Sequence, residues 1–211
     1  MGNPMVNFKD EIRWDMENMN SSDNVLPQFK NMSREDRKQY CDNDRLPYDV
    51  CLLNITGDMN HGVMVRTFAN LGASKIIVAG RNRLDRRTLV GVEFYQDIEY
   101  VGGLNQDTLE IDLDVFRTIL RSNQYYFPVF VEQGGTMLGE VNWKNAIGMD
   151  KRPLLIFGNE GRGIQDSILD LRNEIASMTV SIPQLGVSRS YNVSAAASIV
   201  GFHFVNSVGW L

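Results

Sequence analysis

The chain has 211 residues, of which 43% are hydrophobic and 22% charged, which is typical of one ordinary globular domain with a full core. The formal net charge of −5 argues against a protein that holds nucleic acid through a large uniform positive field, so any RNA contact must be local. No apolar run approaches the roughly 20 residues that cross a bilayer, and the first residues are too acidic for a secretory signal. We therefore expect a cytoplasmic protein that does not enter membranes.

The cysteine content gives no sign of a metal site or of a disulfide framework. Cys41 and Cys51 are the only cysteines, they lack CxxC spacing, and no histidine cluster accompanies them. We expect two reduced structural thiols and no bound metal.

The predicted elements begin after a polar N-terminal extension, residues 1–46, in which 8–19 and 33–40 have helical character. Apolar runs of strand length follow at 50–55, 75–79, 126–131, 153–157 and 178–182. Helical stretches occur at 61–71, 112–122, 164–172 and 191–207. Strands that alternate with helices of this length predict an α/β domain over 47–211, with a mainly parallel sheet flanked by helices.

Three polar, glycine-bearing loops each follow a predicted strand and precede a predicted helix, which is where open parallel sheets bind ligands. The first, residues 54–73, places Asn60 and Gly62 at the start of a helix and Arg66 one turn further on. An exposed helical arginine is the commoner case, but apolar residues surround Arg66 on both sides. Its permanently charged guanidinium would thus lie close to a core-facing stripe, which favours a functional role.

The second loop, FGNEGRGI at 157–164, places three glycines around Glu160 and Arg162. Such glycine density lets backbone amides approach a ligand closely, although the loop matches neither the dinucleotide fingerprint nor the phosphate loop. The third loop, SIPQLGVSRSYNVSAAAS at 181–198, enters a helix through Ser190 and Asn192. Ser190 has the chemistry of a helix N-cap, and the small residues at 194–198 predict close packing of this helix on the sheet.

Together these loops resemble the three signature motifs of the SpoU/TrmH branch of the SPOUT superfamily of RNA methyltransferases. The first motif is matched by Asn60, Gly62, Arg66, Thr67 and Gly72, and the second, GNEGxG, by residues 158–163. The third motif is matched by Ile182, Pro183, Gly186 and residues 190–194, with Tyr191 in place of leucine. The resemblance covers about residues 48–207.

The resemblance implies an α/β domain whose C-terminal segment forms a deep trefoil knot that holds S-adenosylmethionine, mostly through backbone groups. No metal is implied. The cofactor-binding positions that it implies are Phe157, Gly158, Asn159, Gly161, Gly163, Ile182, Gly186, Ser190 and Val193.

The implied reaction is methyl transfer to a ribose 2′-hydroxyl of RNA, and tRNA is favoured over rRNA because no separate rRNA-binding domain is visible. Arg66 is expected to stabilise the developing negative charge, since a guanidinium stays protonated in proteins and is a poor proton acceptor. Asn60, Glu160, Ser190 and Asn192 would orient Arg66 and the ribose, and Glu160 is the alternative proton acceptor.

Two further features concern partners. The run RNRLDRR at 81–87 is the best candidate for contact with the RNA backbone, through Arg81, Arg83, Arg86 and Arg87, although most charge runs are simply solvated. The family also implies a homodimer with active sites at the subunit interface. The segment 198–211 agrees with this, because a monomer would have to expose Phe202, Phe204, Val208, Trp210 and Leu211 or fold them into its own core.

Three other functions compete with this interpretation. A SPOUT methyltransferase acting on a base nitrogen is disfavoured by Arg66 and the SYNVS pattern. A knotted protein that binds RNA without catalysis is disfavoured by the intact motif residues. A nicotinamide-dependent oxidoreductase is disfavoured by the missing dinucleotide fingerprint.

Overall fold

The structure is a computed structural model that describes residues 25–81, 83–148 and 150–210. The chain divides into two compact units, Met1–Met32 and Ser33–Leu211. The described part of the first unit contains a 3₁₀ helix, Pro27–Phe29, and the predicted helix at 8–19 lies outside the described residues. The second unit begins with helix α1, Arg34–Asn43, which confirms the helix predicted at 33–40.

The second unit is built on a parallel sheet of six strands, which confirms the predicted α/β architecture. The strands are β1 Leu46–Leu53, β2 Ala73–Ala79, β3 Asp97–Val101, β4 Tyr126–Met137, β5 Arg152–Phe157 and β6 Met178–Ser181. The sheet order is β3-β2-β1-β5-β4-β6, and every neighbouring pair is parallel. All strands therefore end at one edge of the sheet, where ligands of such folds bind.

Helices cover both faces of this sheet. Alternate residues of β1 enter two separate apolar cores, since Val50 and Leu52 belong to one and Cys51 to the other. The later helices are α2 Asp58–Asn70, α3 Arg86–Leu89, α4 Leu113–Arg121, α5 Trp143–Ile147, α6 Asp166–Leu169 and α7 Val193–Ser207, with 3₁₀ helices at Val92–Phe94, Leu138–Glu140 and Asp170–Asn173. No helix in the described ranges is long and apolar enough to cross a membrane.

The close packing of α7 against α2 brings the beginnings of these two helices together at the carboxyl edge of the sheet. Gly201 of α7 makes this approach possible, because a Cβ there would lie 2.8 Å from side-chain carbons of Phe68 and Leu71. The close packing was predicted on the sheet through residues 194–198, but the close approach is made to α2 through Gly201, and of the residues at 194–198 only Ala197 is fully buried.

Three details of the predicted elements were wrong. β3 was not predicted, and the helix expected at 164–172 is α helix only over Asp166–Leu169 before it tightens into a 3₁₀ turn. Ser190 does not cap α7, because the helix begins at Val193 and Asn192 therefore occupies the capping position. The Asn192 side chain accepts the backbone N–H groups of Ser194 and Ala195.

The apolar C-terminal segment is largely part of this chain's own core. Phe204 is fully buried and packs edge-on against Tyr48, and Trp210 stacks on the same tyrosine with ring centroids 5.9 Å apart. Phe202 is 57% exposed, and Leu211 lies outside the described residues. The segment therefore gives weaker support to a dimer than its composition indicates.

A buried ion pair joins three strands at the opposite, amino-terminal edge of the sheet. Asp49 accepts two hydrogen bonds of 2.8 Å from the guanidinium of Arg152 and one of 2.7 Å from the hydroxyl of Tyr126. The Lys75 backbone N–H donates a fourth at 3.0 Å. The carboxylate is thus fully satisfied although Asp49 is only 2% exposed.

Candidate active site

A cavity of about 500 Å³ lies between the second and third motif loops, at the carboxyl ends of β4, β5 and β6. Its wall combines apolar side chains with glycines and polar groups, as small-molecule sites do. Nearly all of the predicted cofactor-binding residues line it, namely Phe157, Gly158, Asn159, Gly161, Gly163, Ile182, Ser190 and Val193. Gly186, which was also predicted to bind the cofactor, does not line this cavity.

The second motif loop is closed on itself by Asn159. The backbone groups of Asn159 and Gly163 exchange hydrogen bonds of 3.0 and 2.8 Å. The Asn159 side chain accepts the Gly161 N–H at 2.9 Å and donates to the carbonyl oxygen of Asn54 at 2.7 Å. Gly158 is essential to this closure, since a Cβ there would lie 2.3 Å from the Gly163 carbonyl carbon.

Glu160 fastens the second motif loop to the first. One carboxylate oxygen accepts the N–H and the hydroxyl of Thr56, both at 2.9 Å, and the other accepts the Gly57 N–H at 2.8 Å and the Asn60 amide at 3.1 Å. Burial alone would raise the pKa of Glu160, but these donors stabilise the charged form and hold its pKa at about 2. The carboxylate is therefore a weak base at neutral pH.

The third motif loop joins the same network through Asn192. Its side-chain amide donates to the Asn60 amide oxygen at 3.0 Å, while its own oxygen caps α7. Three predicted site residues, Glu160, Asn60 and Asn192, thus form one hydrogen-bonded chain across three loops. Ser194 also belongs to it, because its hydroxyl donates to the Asn192 oxygen at 2.6 Å. Sequence reasoning gave Ser194 no role, although it lies within the third motif.

The other two predicted catalytic residues, Arg66 and Ser190, make no hydrogen bond to the Glu160–Asn60–Asn192 network. Arg66 lies partly buried on α2, directly after the fully buried Val65, and it makes no hydrogen bond or ion pair with any described residue. Ser190 is exposed in the wall of the cavity, where its backbone oxygen accepts the Ser188 hydroxyl. Arg66, unlike Ser190, does not line the cavity.

The arginines predicted to contact RNA are mostly paired with carboxylates. Arg81 and Arg83 bind the two oxygens of Asp58 at 2.9 and 3.0 Å, and Arg87 binds Asp85 at 2.6 Å. These two aspartates offset part of the positive charge of the run at 81–87. The positive field at this loop is thus smaller than the sequence of the run indicates.

Sequence reasoning missed Glu132 and Gln133, which also line the cavity. The Glu132 carboxylate accepts the Ile164 N–H at 2.9 Å and the Gln133 N–H at 2.9 Å. A signal was present, because these two polar residues directly follow the apolar run at 126–131, where a parallel strand was predicted to end.

Comparison with solved structures shows the same fold in RNA-modifying enzymes. A TrmH/SpoU tRNA-modifying enzyme of A. aeolicus is 21% identical, with a TM-score of 0.62 over 82% of this chain and 83% of that chain. A structure that was solved for insights into the 2-OH methylation of C/U34 on tRNA is 18% identical. Its TM-score is 0.57 over 79% of this chain and 100% of that one.

The SpoU methyltransferase AviRb of Streptomyces viridochromogenes, solved in complex with AdoMet, is 23% identical. Its TM-score is 0.56 over 78% of this chain, which spans only 58% of the length of AviRb. At these identities the structural likeness shows the fold alone.

No curated protein matches the sequence. The model of the SpoU rRNA methylase family, however, matches residues 47–202, which include all three motif loops and every residue of the Glu160–Asn60–Asn192 chain. Because this match covers well over half of the chain, the protein belongs to the SpoU rRNA methylase family.

Proposed function

We propose that this RNA methyltransferase transfers a methyl group from S-adenosylmethionine to a ribose 2′-hydroxyl of RNA, with tRNA as the favoured substrate. The observation that carries the proposal is the hydrogen-bonded chain Glu160–Asn60–Asn192 beside a glycine-walled cavity. The methylation of a 2-hydroxyl on tRNA named for one similar structure supports the choice of ribose. The cytoplasmic location stays a prediction.

The residues around the cavity fit S-adenosylmethionine. The volume of about 500 Å³ lies within the range of roughly 300–1,000 Å³ that is common for ligand pockets. Ile182 and Val193 offer partly exposed apolar surface for a nucleobase, and Glu132 offers a carboxylate without a cationic partner in the described structure. The cofactor would supply a methyl group on an electrophilic sulfonium: its sulfur–methyl bond breaks as the bond to the ribose oxygen forms, and the hydroxyl proton leaves to solvent. The chain's residues would then have to position the hydroxyl and stabilise its oxygen as the proton leaves.

In this proposal Glu160 is a positioning residue. Both oxygens of its carboxylate already accept hydrogen bonds from Thr56, Gly57 and Asn60. A carboxylate whose pKa is about 2 is also a poor general base at neutral pH. The alternative that Glu160 acts as the general base is therefore disfavoured. Its function is to fix the first motif loop against the second.

Arg66 is the residue proposed to stabilise the developing charge on the ribose oxygen. Its guanidinium is unpaired within the described part of the chain, so no internal carboxylate competes with a substrate oxygen or phosphate. A planar guanidinium also offers several donors at fixed angles, which suits an oxyanion next to a phosphodiester.

The knot and the dimer are parts of the same proposal. The loops at 157–164 and 181–192 are the segments that a trefoil knot in this family would bring together, and both line the cavity. A homodimer would cover the exposed side chains of Ile199 and Phe202 on α7. Arg66 of one subunit would then face the cofactor of the other.

The test is to incubate the protein with S-adenosylmethionine and bulk RNA and to map 2′-O-methylation. New 2′-O-methyl marks on tRNA, absent with an Arg66→Ala variant, are expected. Methylation confined to base nitrogens would overturn the ribose assignment. Calorimetry checks the cofactor separately, since S-adenosylhomocysteine should bind and NAD should not.

A further inference from the structure

The third motif loop contains a strongly exposed segment at the mouth of the cavity, residues 183–191, which we name the rim loop. Leu185 is 99% exposed, and Val187 is fully exposed as well. Arg189 and Tyr191 belong to the same loop, and both line the cavity. The rim loop is thus placed to contact whatever approaches the cavity from outside.

Arg189 carries a positive charge that nothing in the described chain neutralises. Its side chain is exposed and makes no hydrogen bond or ion pair with a described residue, in contrast to Arg81, Arg83 and Arg87. Its backbone is nevertheless held, because the Gln133 side-chain amide donates to the Arg189 carbonyl oxygen at 2.8 Å. A fixed backbone with a free guanidinium suits the binding of a phosphate.

Tyr191 adds an aromatic surface beside this charge. Its hydroxyl donates to the carbonyl oxygen of Pro183 at 3.1 Å, which restrains the ring across the rim loop, and the residue remains 42% exposed. Restrained, accessible aromatic rings are the usual stacking platforms for unpaired bases. Leucine at this position, as in the motif that the chain resembles, would not provide such a platform.

We infer that Arg189 and Tyr191 form a clamp for the target nucleotide of a single-stranded RNA segment, with Arg189 on a phosphate and Tyr191 stacked on the base. This inference rests on the proposed function, because the cofactor must fill the interior of the cavity while the nucleotide enters past the rim. Stacking on Tyr191 requires an unpaired base, so the clamp selects a loop or an unpaired position of the RNA and disfavours a continuous double helix.

The test measures binding of a fluorescein-labelled single-stranded RNA and of the matching duplex by fluorescence anisotropy, with S-adenosylhomocysteine at saturation. Arg189→Gln should weaken single-strand binding by about tenfold and reduce the salt slope by about one. Tyr191→Leu should weaken it by about tenfold, and Tyr191→Phe should retain most of it because the ring remains.

Arg121→Gln is the matched control. Arg121 is an exposed arginine on α4 that is likewise unpaired in the described ranges, and it lies toward the amino-terminal edge of the sheet, away from the cavity. The same loss of one positive charge should there change single-strand affinity by less than about twofold. Calorimetry should give unchanged S-adenosylhomocysteine affinity for all four variants.

Each other outcome overturns the clamp. If Arg189→Gln and Arg121→Gln lowered RNA affinity equally, Arg189 would contribute only to the net charge of the protein and would make no specific phosphate contact. If Tyr191→Leu kept full RNA affinity, stacking on Tyr191 would be excluded. A loss of S-adenosylhomocysteine affinity would place the two residues against the cofactor, and a change of mass in light scattering would place them in a subunit contact.

If the parent protein binds neither S-adenosylhomocysteine nor RNA, the proposed function itself fails. If it methylates RNA and the variants keep their RNA affinity, only the clamp fails.

Discussion

The Asn60 side-chain amide donates to the carboxylate of Glu160, one hundred positions later in the chain, at 3.1 Å. The Asn60 oxygen in turn accepts the Asn192 amide, so a change at any one of these residues disturbs all three motif loops. The charged form of Glu160 is what the network requires, because all four of its donors point at carboxylate oxygens. Because the network requires the charged carboxylate, its contribution to the free energy of unfolding should depend on pH.

Glu160→Gln should lower the free energy of unfolding at neutral pH, because a glutamine NH₂ group must face the N–H donors of Thr56 or Gly57. Glu160 has its pKa depressed from 4.5 to about 2, so its contribution to stability is present above pH 4.5 and is lost as the pH falls to about 2. Urea unfolding of parent and variant across this range should show the difference between them shrink with falling pH.

The control for that experiment is Glu99→Gln, which removes a carboxylate paired with Lys75 at the surface. It should change stability little at neutral pH. A Glu160→Gln variant as stable as the parent at neutral pH would show that the four donors contribute no net stabilisation.

Gly158→Ala should abolish tight binding of S-adenosylhomocysteine, with an affinity loss of more than about tenfold. The new Cβ would lie 2.3 Å from one backbone atom of Gly163 and 2.4 Å from the Ile164 nitrogen, so the loop must open. Gly139→Ala is the matched control, because its Cβ would meet no atom within 4 Å and Gly139 does not line the cavity. Calorimetry on both variants decides the point, and equal affinities would show that the second motif loop tolerates a side chain at residue 158.

Arg152→Met should destabilise the domain by about 3 kcal/mol, since it leaves the buried Asp49 carboxylate without its cation. Replacing Asp49 by leucine in the same chain should recover part of this loss, because the uncompensated charge is then gone. Arg117→Met, which removes a surface pair with Glu174 at 3.5 Å, should cost less than about 1 kcal/mol. Urea denaturation measures all three, and a loss in Arg152→Met no larger than in Arg117→Met would contradict the role of the pair.

The sequence predicts the central strands well because they are buried on both faces. The residues of β5 from Pro153 to Phe157 are all buried, and such strands read as continuous apolar runs that admit few other structures. β3 was not predicted because it is a five-residue edge strand that contains the charged residues Asp97 and Glu99, and it therefore has no continuous apolar run. Its pairing depends on β2 as a neighbour, which no local pattern reveals.

At the site, the motifs identify Asn60, Glu160 and Asn192 as residues that act together, but not how they contact one another. The direction of the Glu160 hydrogen bonds depends on where the backbone of residues 56–57 lies, which is a tertiary property. The pairing of Arg81 and Arg83 with Asp58 is equally tertiary, since more than twenty positions separate the partners. A local charge run therefore overstates the positive surface available to RNA.

Arg66→Lys should leave S-adenosylhomocysteine binding nearly unchanged and lower the rate of methyl transfer severely. A lysine ammonium is a single point charge and does not reproduce the planar set of donors of a guanidinium. Single-turnover methylation with saturating cofactor measures the effect, alongside calorimetry for the cofactor. Turnover within a few-fold of the parent would remove Arg66 from the proposed charge-stabilising role.

If the active sites of a homodimer are shared between its subunits, two inactive variants should complement each other in a mixed dimer. Arg66→Ala removes the proposed charge-stabilising group and leaves the cavity intact, while Gly158→Ala disrupts the cofactor-binding loop and leaves Arg66 intact. If Arg66 of one subunit faces the cofactor of the other, a mixed dimer contains one site with both functions, and activity should return after the two chains are mixed and refolded together. Light scattering must first show a dimer, and a clean monomer mass from an active sample would refute obligate dimerisation. Mixed dimers that stay inactive would place each complete site within a single chain.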